Sequence, residues 1–313
     1  HFPTTSIMNK KALEKQGYRI VGNHSAIKVC YWTRECIREV DSCYKNTFYG
    51  ISSNLCVQMT PALNTCTLRC NWCWRDIEHT SKEWTGPIDD PKDIISGCIK
   101  EHKKVLLGFK GSSKKMFEKS QQPKHFAISL SGEPTFYPRL PELIKELTKQ
   151  DLTSFLVTNG TNPEMITQLI QTPPTQIYLT LPAPNKIVYK SVCNPLIKDG
   201  WEKILQSLTL LKQFPRSVVR LTLTKSQNML KPEEYAKLIA NNSDFIEIKG
   251  YMYAGHSQAR LNPKCMPYHE EVKQFAQELV KHNSNYEIVN EKPNSRVVLL
   301  KNKNSKISSE LNF

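Results

Sequence analysis

Three cysteines lie close together in the sequence and could bind a single inorganic cluster. They are separated by four and then three positions in Cys66-Thr67-Leu68-Arg69-Cys70-Asn71-Trp72-Cys73. Thiolates are the usual ligands of iron–sulfur clusters, and three of them on a four-iron cluster leave one iron open. Structural zinc is the alternative, but such zinc sites usually have four ligands in two paired groups. Because no second pair of this kind lies near the loop, the spacing favours an iron–sulfur cluster.

The aromatic residue Trp72 completes the pattern Cys-x3-Cys-x-aromatic-Cys. This pattern resembles the radical S-adenosylmethionine superfamily. The resemblance implies that the open iron binds the methionine end of S-adenosylmethionine and that one electron cleaves this cofactor to a 5′-deoxyadenosyl radical. We therefore expect a radical enzyme.

A second group of cysteines is spread more widely, because Cys30, Cys43 and Cys56 lie thirteen residues apart. No short-range motif has this spacing, and cysteines so far apart are normally unrelated. If the chain folds back on itself, however, the three thiols can converge on a second cluster with its own open iron. The remaining cysteines have no motif partner and are expected to be small buried side chains, namely Cys36, Cys98, Cys193 and Cys265.

From residue 55 onward, apolar strand-like runs alternate with amphipathic helix-like runs, which is typical of repeated βα units with a parallel sheet. The predicted strands are 55–59, 125–130, 153–157, 176–181, 218–223 and 245–249. The predicted helices are 91–107, 140–149, 163–170, 200–212, 232–240 and 269–282. This order predicts an α/β fold, a partial (β/α)6 TIM-like barrel.

Further elements are predicted at both ends of the barrel. Helices at 8–18 and 29–40 predict a helical N-terminal extension over residues 1–54, and 295–301 predicts an added edge strand in a core of residues 55–313. Active sites of such barrels lie at the carboxyl ends of the strands. These ends carry the cysteine triad and the stretches 131–135 and 158–160. Gly132 and Gly160 fit functional turns there, and they also fit ordinary turns after strands.

The chain is strongly basic, with 43 Lys and Arg against 29 Asp and Glu and a formal net charge of +14. This charge suggests a polyanionic partner. Lysines are concentrated in a predicted insertion at residues 100–124, at Lys100, Lys103, Lys104, Lys110, Lys114, Lys115, Lys119 and Lys124. Such a segment can bind nucleic-acid phosphates or be a solvated loop, and the overall charge favours phosphate binding.

The composition predicts the cellular context as well. The sequence contains no apolar run near the roughly 18 residues of a membrane span, and its first fifteen residues lack the apolar core of a signal peptide. We expect a cytoplasmic monomer that does not bind membranes and whose cysteines are ligands or buried residues rather than disulfides.

Several further stretches resemble one branch of the radical superfamily, the tRNA 4-demethylwyosine synthases. The resemblance extends over residues 18–300. Its matching pieces include Cys43-Tyr44-Lys45, Phe48-Tyr49-Gly50, Cys73-Trp74-Arg75, Ser131-Gly132-Glu133-Pro134-Thr135, Asp199-Gly200-Trp201 and Ser295-Arg296-Val297-Val298. Members of this family convert N1-methylguanosine at position 37 of tRNA-Phe into a tricyclic base with two carbons from pyruvate.

The resemblance implies two [4Fe–4S] clusters. Cys66, Cys70 and Cys73 would hold the cluster that cleaves S-adenosylmethionine. A second cluster, which meets pyruvate at its open iron, would be held by Cys30, Cys43 and Cys56.

The resemblance also implies roles for polar residues. Gly132 and Glu133 match a stretch that lies against the amino group of the bound methionine moiety, where a carboxylate complements an ammonium. Thr158 and Asn159 fall where strand-end polar groups meet the cofactor carboxylate and ribose. Lys45 matches a lysine proposed to form a Schiff base with pyruvate, and an ion pair to pyruvate or to a tRNA phosphate is the alternative.

Other expectations concern partners. Some family members carry a flavodoxin-like domain ahead of this core; none is recognised here, so a separate flavodoxin- or ferredoxin-type electron donor is expected. The target base must leave the anticodon stack. The candidate residues on which it could stack are Trp72, Trp74, Tyr251 and Tyr253. The alternative for these residues is packing in the protein core. Lys249 is either a site residue or a strand cap.

The rival functions are another radical enzyme acting on a different RNA or on protein, and an RNA-binding protein with a structural metal.

Overall fold

The computed structural model describes residues 10–311 and divides into two compact units. The first unit comprises the chain up to Cys66, His79–Val157 and Gln171–Thr175, and the second comprises Thr67–Glu78, Thr158–Ile170 and the chain from Gln176 onward. Each unit contains parallel strands connected through helices. The predicted α/β class is therefore confirmed.

The first unit contains, in chain order, α1 (Lys10–Lys15), β1 (Arg19–Val21), β2 (Ser25–Ile27), α2 (Tyr31–Ile37), α3 (Tyr44–Tyr49), β3 (Cys56–Thr60), α4 (Pro91–Leu106), α5 (Lys114–Ser120), β4 (His125–Ile128), α6 (Leu140–Lys149) and β5 (Thr153–Thr158), whose last residue belongs to the second unit. Strands β1, β2 and β3 pair antiparallel, and β3, β4 and β5 pair parallel.

Helix α6 has the predicted bounds because its apolar residues follow the helical period. Leu140, Leu143, Ile144 and Leu147 are buried, and these spacings place them on one face. Every residue of β4 is buried, as expected for a parallel strand that is covered on both faces.

The N-terminal extension differs from the helical prediction. The first helix is α1, with residues 8 and 9 outside the described part of the chain, and the second is α2, which is shorter than 29–40. A hairpin of β1 and β2 lies between them, and Ala26 of β2 pairs with Thr60 of β3. Three-residue strands are too short to display an alternating pattern, so the prediction missed them.

The basic segment at residues 100–124 is also not a simple loop. It contains the end of α4 and all of α5. Leu106, Phe109 and Phe117 pack with Val29 and Ile37 of the N-terminal extension. These apolar contacts hold the segment in place while all of its lysines except the half-buried Lys103 remain exposed.

The second unit continues with α7 (Pro163–Leu169), β6 (Gln176–Thr180), α8 (Lys186–Cys193), α9 (Gly200–Leu210), β7 (Ser217–Leu223), α10 (Pro232–Ile239), β8 (Phe245–Gly250), α11 (His269–His282), β9 (Tyr286–Lys292) and β10 (Val297–Asn302). Strands β6, β7 and β8 pair parallel, and β10 pairs antiparallel with both β8 and β9.

The prediction of an edge strand at 295–301 is wrong in its position. This segment is β10, which lies between β8 and β9, and its residues Val297, Val298, Leu299 and Leu300 are all buried. An uninterrupted buried run is typical of an interior strand. The edge position belongs to β9, which was not predicted.

Among residues 10–311, no helix is both long enough and apolar enough to cross a bilayer.

Candidate functional site

Cys30, Cys43 and Cys56 come together in the first unit. Cys30 immediately precedes α2 and Cys43 immediately precedes α3, both in an extended conformation, and Cys56 begins β3. The thiols of Cys30 and Cys43 and the ammonium of Lys45 all act electrostatically on the thiol of Cys56. The fold thus brings together cysteines that the sequence separates by thirteen residues.

Ser53 connects the two short helices that carry these cysteines. Its hydroxyl accepts a hydrogen bond from the Cys43 N–H at 2.9 Å, and its carbonyl accepts one from the Thr33 hydroxyl at 3.0 Å. Thr33 belongs to α2 and Cys43 precedes α3. Sequence reasoning did not identify Ser53, because a single serine between α3 and β3 carries no distinguishing pattern.

The chemistry of this cysteine set fits an iron–sulfur cluster. Burial raises the pKa of the Cys56 thiol to about 12, with Lys45 lowering it and Cys30 and Cys43 raising it. A thiol in this environment loses its proton when a metal compensates the thiolate charge. All three are free cysteines and not disulfides.

Lys45 lies beside this set on α3, with its ammonium 5.2 Å from the centre of the Phe155 ring. His125 is paired with Cys56 across β3 and β4, and its Nδ1 is 2.7 Å from the Thr153 hydroxyl. Burial, assisted by the charges of Lys124 and Lys45, lowers the pKa of His125 to about 4. His125 is therefore neutral at pH 7 and adds no positive charge near Lys45.

Gly132 and Glu133 lie in the first unit against the stretch that leads into Cys66. Gly132 has φ +70°, and a Cβ atom there would lie 1.7 Å from the Ala62 carbonyl oxygen. The Glu133 N–H donates to the Thr65 carbonyl at 2.6 Å. Glycine is therefore required at position 132 by the close approach of two backbone segments, and not only by the turn itself.

The Glu133 side chain is buried and oriented by its neighbour. Its Oε1 accepts hydrogen bonds from the Thr135 hydroxyl at 2.7 Å and from the Thr135 N–H at 3.2 Å. Hydrogen bonds of this kind stabilise the ionised form of a carboxyl group.

Thr158 and Asn159 lie in the second unit, at the end of β5. The Asn159 Oδ1 accepts hydrogen bonds from the Thr161 N–H at 2.9 Å and the Thr161 hydroxyl at 2.7 Å. The Thr161 hydroxyl is also 2.6 Å from that of Thr67, and the Thr158 hydroxyl accepts the Gly160 N–H at 3.0 Å. These bonds connect the strand end with the residue that follows Cys66.

The cysteine loop, defined here as residues 66–74, carries Cys70 and Cys73 into the second unit. The Cys73 N–H donates to the Cys70 carbonyl at 3.0 Å. The neighbouring Cys193 thiol and burial raise the pKa of Cys70 well above its usual value, and burial raises the pKa of Cys73. Both thiols therefore also need a compensating positive charge to ionise.

Arg260 braces the cysteine loop. Its Nε donates to the Asn71 carbonyl at 3.2 Å and its Nη2 to the Cys73 carbonyl. Its positive charge also lowers the pKa of both Cys70 and Cys73. Arg260 was missed because it is 187 residues from Cys73 and belongs to no local motif.

Within residues 10–311, no three His, Cys, Asp or Glu side chains converge as the ligands of one metal ion would. A [4Fe–4S] cluster binds each thiolate at a separate iron, so its ligands do not need to meet at one point.

The candidate stacking residues differ in how much of each side chain is exposed. Trp72 is 9% exposed and Tyr251 is 1% exposed, so both belong to the core, whereas Trp74 is 43% exposed. The indole Nε1 of Trp74 donates to the Met252 carbonyl at 2.9 Å, and Tyr253 is half-buried. Trp74 and Tyr253 thus remain candidates for contact with a base.

The structure also gives the positions of Lys249 and of the four cysteines that have no motif partner. The Lys249 ammonium donates to the Ser295 carbonyl at 2.6 Å. Cys98 and Cys193 are buried, while Cys36 and Cys265 are half-buried. The prediction that these cysteines are buried is thus confirmed for Cys98 and Cys193.

Two family models match the chain. The model of the radical SAM superfamily matches residues 60–239, and the model of wyosine base formation matches residues 240–302.

Named relatives agree with these models. An S-adenosyl-L-methionine-dependent tRNA 4-demethylwyosine synthase from Pyrococcus abyssi is 47% identical over 294 residues, which are 91% of this chain and 86% of the relative. The corresponding protein of Mus musculus is 41% identical over 310 residues, which are 96% of this chain and 42% of the mouse protein. A solved structure of TYW1 with a lysine–pyruvate adduct bound superposes with a TM-score of 0.87 at 36% identity, covering 96% of this chain and 98% of the other.

Proposed function

The chain belongs to the family of S-adenosyl-L-methionine-dependent tRNA 4-demethylwyosine synthases, and we propose that it joins pyruvate to N1-methylguanosine-37 of tRNA-Phe to form the tricyclic base. As a radical SAM protein it uses S-adenosylmethionine and a [4Fe–4S] cluster. The convergence of Cys30, Cys43 and Cys56 beside Lys45 carries the proposal, because it supports a second cluster and a pyruvate site.

Cys66, Cys70 and Cys73 are the ligands of the cluster that serves S-adenosylmethionine. When bound, the cluster and this cofactor supply a 5′-deoxyadenosyl radical that takes a hydrogen atom from the N1-methyl group of the target guanine. Arg260 holds the loop through the carbonyls of Asn71 and Cys73. This bracing holds the backbone of the loop at Asn71 and Cys73.

The polar residues at the strand ends bind the cofactor. The buried Glu133 carboxylate, oriented by Thr135, complements the ammonium of the methionine moiety. Gly132 lets the turn approach the stretch before Cys66 without a side chain in between. Thr158 and Asn159 supply the polar groups for the carboxylate and the ribose.

Cys30, Cys43 and Cys56 hold the second cluster, and Lys45 meets pyruvate beside it. A Schiff base forms when the Lys45 Nζ attacks the pyruvate carbonyl carbon and water leaves. The relative solved with a lysine–pyruvate adduct favours this role over an ion pair. His125 is neutral and adds no positive charge beside Lys45.

The basic segment at residues 100–124 binds the tRNA backbone. Its lysines are exposed except for the half-buried Lys103, and its helices are anchored by Phe109 and Phe117. Lysines that neutralise phosphates give salt-sensitive binding. Trp74 offers an exposed aromatic surface on the cysteine loop, on which a displaced base can stack.

The decisive test is an anaerobic reaction of the iron-reconstituted protein with dithionite, S-adenosylmethionine, labelled pyruvate and tRNA-Phe that carries N1-methylguanosine-37. We expect label in the RNA, and none when the tRNA lacks the methyl group. Release of 5′-deoxyadenosine without labelled RNA would refute the wyosine assignment and leave a different radical enzyme. Bound zinc without sulfide would instead favour a structural metal.

The second cluster has its own test. Cys30→Ala should reduce the iron content from about eight to about four per chain. It should still release 5′-deoxyadenosine but transfer no label from pyruvate. Cys36→Ala is the matched control, because Cys36 lies on the same helix and its thiol bonds only weakly to Asn54 at 3.7 Å. Equal iron content in the two variants would contradict the second cluster.

A further inference from the structure

Tyr268 presents an aromatic ring to solvent in the second unit. It lies immediately before α11 and is 68% exposed. The position before a helix favours Ser, Thr, Asp or Asn, so helix capping does not account for a tyrosine there. Aromatic side chains dominate the energetics of cores and interfaces because they bury a large area. A tyrosine that the fold leaves in solvent is therefore a candidate contact for a partner.

Two cations lie beside this ring. The Lys225 ammonium is 5.8 Å from the ring centre, and the guanidinium carbon of Arg296 is 5.6 Å from it. Positive groups within about 6 Å of an aromatic ring are attracted by its π electrons. Tyr268, Lys225 and Arg296 thus form one surface, called the Tyr268 patch below.

Hydrogen bonds hold the patch in position. The Glu271 Oε1 is 2.6 Å from the Lys225 ammonium, and its Oε2 accepts the Tyr268 N–H at 2.7 Å. The Arg296 Nη1 donates to the Pro267 carbonyl at 2.6 Å. Arg296 also has φ +50°, a left-handed conformation that is unfavourable for a residue other than glycine. Residues held in such conformations cluster at functional sites.

The patch lies at the carboxyl ends of two parallel strands. Lys225 follows the last residue of β7, Leu223, by two positions. Gly250 is the last residue of β8, and its N–H donates to the Arg296 carbonyl at 2.8 Å. Active sites of barrels of this type lie at these strand ends. The position of the patch therefore fits contact with the substrate.

A series of contacts joins the patch to the cysteine loop. The Trp74 Nε1 donates to the Met252 carbonyl at 2.9 Å. The next residue, Tyr253, donates its N–H to the Met266 sulfur at 3.5 Å. Met266 precedes Tyr268 by two positions. The exposed rings of Trp74 and Tyr268 are thus connected through a few residues of the same unit.

We propose that the Tyr268 patch binds an unpaired nucleotide of the anticodon loop other than the target guanosine. The inference rests on the proposed function, because it takes tRNA as the substrate. The ring stacks on the base, and Lys225 and Arg296 contact the neighbouring phosphates. An aromatic ring beside positive charges suits single-stranded nucleic acid, since every base has a π face and every phosphate is negative. In RNA, such unstacked bases are found in loops rather than in double-stranded stems.

The test measures how tightly the reconstituted protein binds the anticodon stem-loop of tRNA-Phe with N1-methylguanosine-37, by fluorescence anisotropy. Tyr268→Ala should weaken binding at least about fivefold, the lower end of the loss for one stacked base. Tyr268→Phe keeps the ring and should bind like the parent protein. Tyr268→Leu keeps an apolar side chain without a ring and should bind like the alanine variant. A fully paired RNA duplex of the same length should bind all four proteins equally.

Abasic substitutions identify the nucleotide. Each loop nucleotide except the target is replaced in turn by an abasic residue. At one position this change should weaken binding to the parent protein about as much as Tyr268→Ala does. The same change should have little further effect on the Tyr268→Ala protein, because the effects of removing two groups in contact are not additive.

The cations are tested by the salt dependence of binding. Lys225→Gln should reduce the slope of log K against log salt concentration by about 0.7, the value of one phosphate contact with a single strand. Lys281→Gln is the matched control, because Lys281 lies on α11 and is likewise paired with a glutamate, Glu278, at 2.5 Å. For the ring, Ile187→Ala removes another exposed side chain of the second unit. Both controls should bind like the parent protein.

Equal affinity of the parent protein and Tyr268→Ala for the stem-loop would overturn the inference. An equal loss of affinity for the stem-loop and for the duplex would also overturn it, because the ring would then not be contacting an unpaired base. If the parent protein does not bind the methylated stem-loop, the proposed function fails instead.

Discussion

Replacing Gly132 with alanine tests whether the turn after β4 positions the stretch that leads into Cys66. The new Cβ would lie 1.7 Å from the Ala62 carbonyl oxygen and 3.0 Å from that of Thr65. Both atoms belong to the backbone, so no side-chain rotation can relieve the overlap. We expect Gly132→Ala to displace the segment immediately before Cys66.

The magnitude follows from two contributions. A left-handed conformation costs a non-glycine residue about 1–2 kcal/mol, and Gly132 has φ +70°. Forcing an extra carbon into a packed site adds about 1–3 kcal/mol. The free energy of unfolding should therefore fall by about 2–5 kcal/mol.

Gly86→Ala is the matched control. Gly86 also has a positive φ, +101°, but no atom lies within 4 Å of the position of a Cβ there. Only the conformational cost of about 1–2 kcal/mol applies to this variant.

The assay compares the urea midpoints of the two variants and of the parent protein, provided that the slopes agree. The affinity of the reconstituted proteins for S-adenosylmethionine is measured by equilibrium dialysis. Gly132→Ala should have the lower midpoint and should bind the cofactor at least about tenfold more weakly, a difference of about 1.4 kcal/mol. Equal midpoints and equal affinities would show that the close approach to Ala62 has no role in positioning Cys66.

The other predictions concern Lys45, Arg260 and the lysines of α5. Lys45→Arg keeps the positive charge but cannot form a Schiff base, so borohydride should no longer trap labelled pyruvate on the protein; trapping that persists would favour the ion-pair role. Arg260→Ala leaves two carbonyls of the cysteine loop without their donor. It should reduce the free energy of unfolding by about 1.5–3 kcal/mol, and it should also reduce the iron content after reconstitution. An unchanged iron content would contradict the bracing role of Arg260. Replacing Lys114, Lys115 and Lys119 with Gln should weaken tRNA binding and reduce the salt slope by about two to three, and an unchanged slope would return the segment to the solvated-loop interpretation.

Local patterns were sufficient for much of the fold. Helices α6 and α11 have the predicted bounds, because the spacing of apolar residues along a helix is a property of neighbouring residues. The six central strands were also predicted to within a few residues. The short hairpin β1–β2 and the edge strand β9 were missed, since three residues, or a largely exposed strand, carry little periodic signal.

The triad of Cys66, Cys70 and Cys73 could be recognised from the sequence because all three ligands lie within one short loop. What surrounds that loop could not be recognised, because it depends on contacts between distant parts of the chain. Arg260 is 187 residues from Cys73 and Asn194 is 125 residues from Arg69. Likewise, spacing alone left Cys30, Cys43 and Cys56 as weak candidates, and their convergence beside Lys45 exists only after α2, α3 and β3 have packed together. Hydrogen bonds and burial between such distant segments form on folding, so no local pattern in the amino-acid order records them.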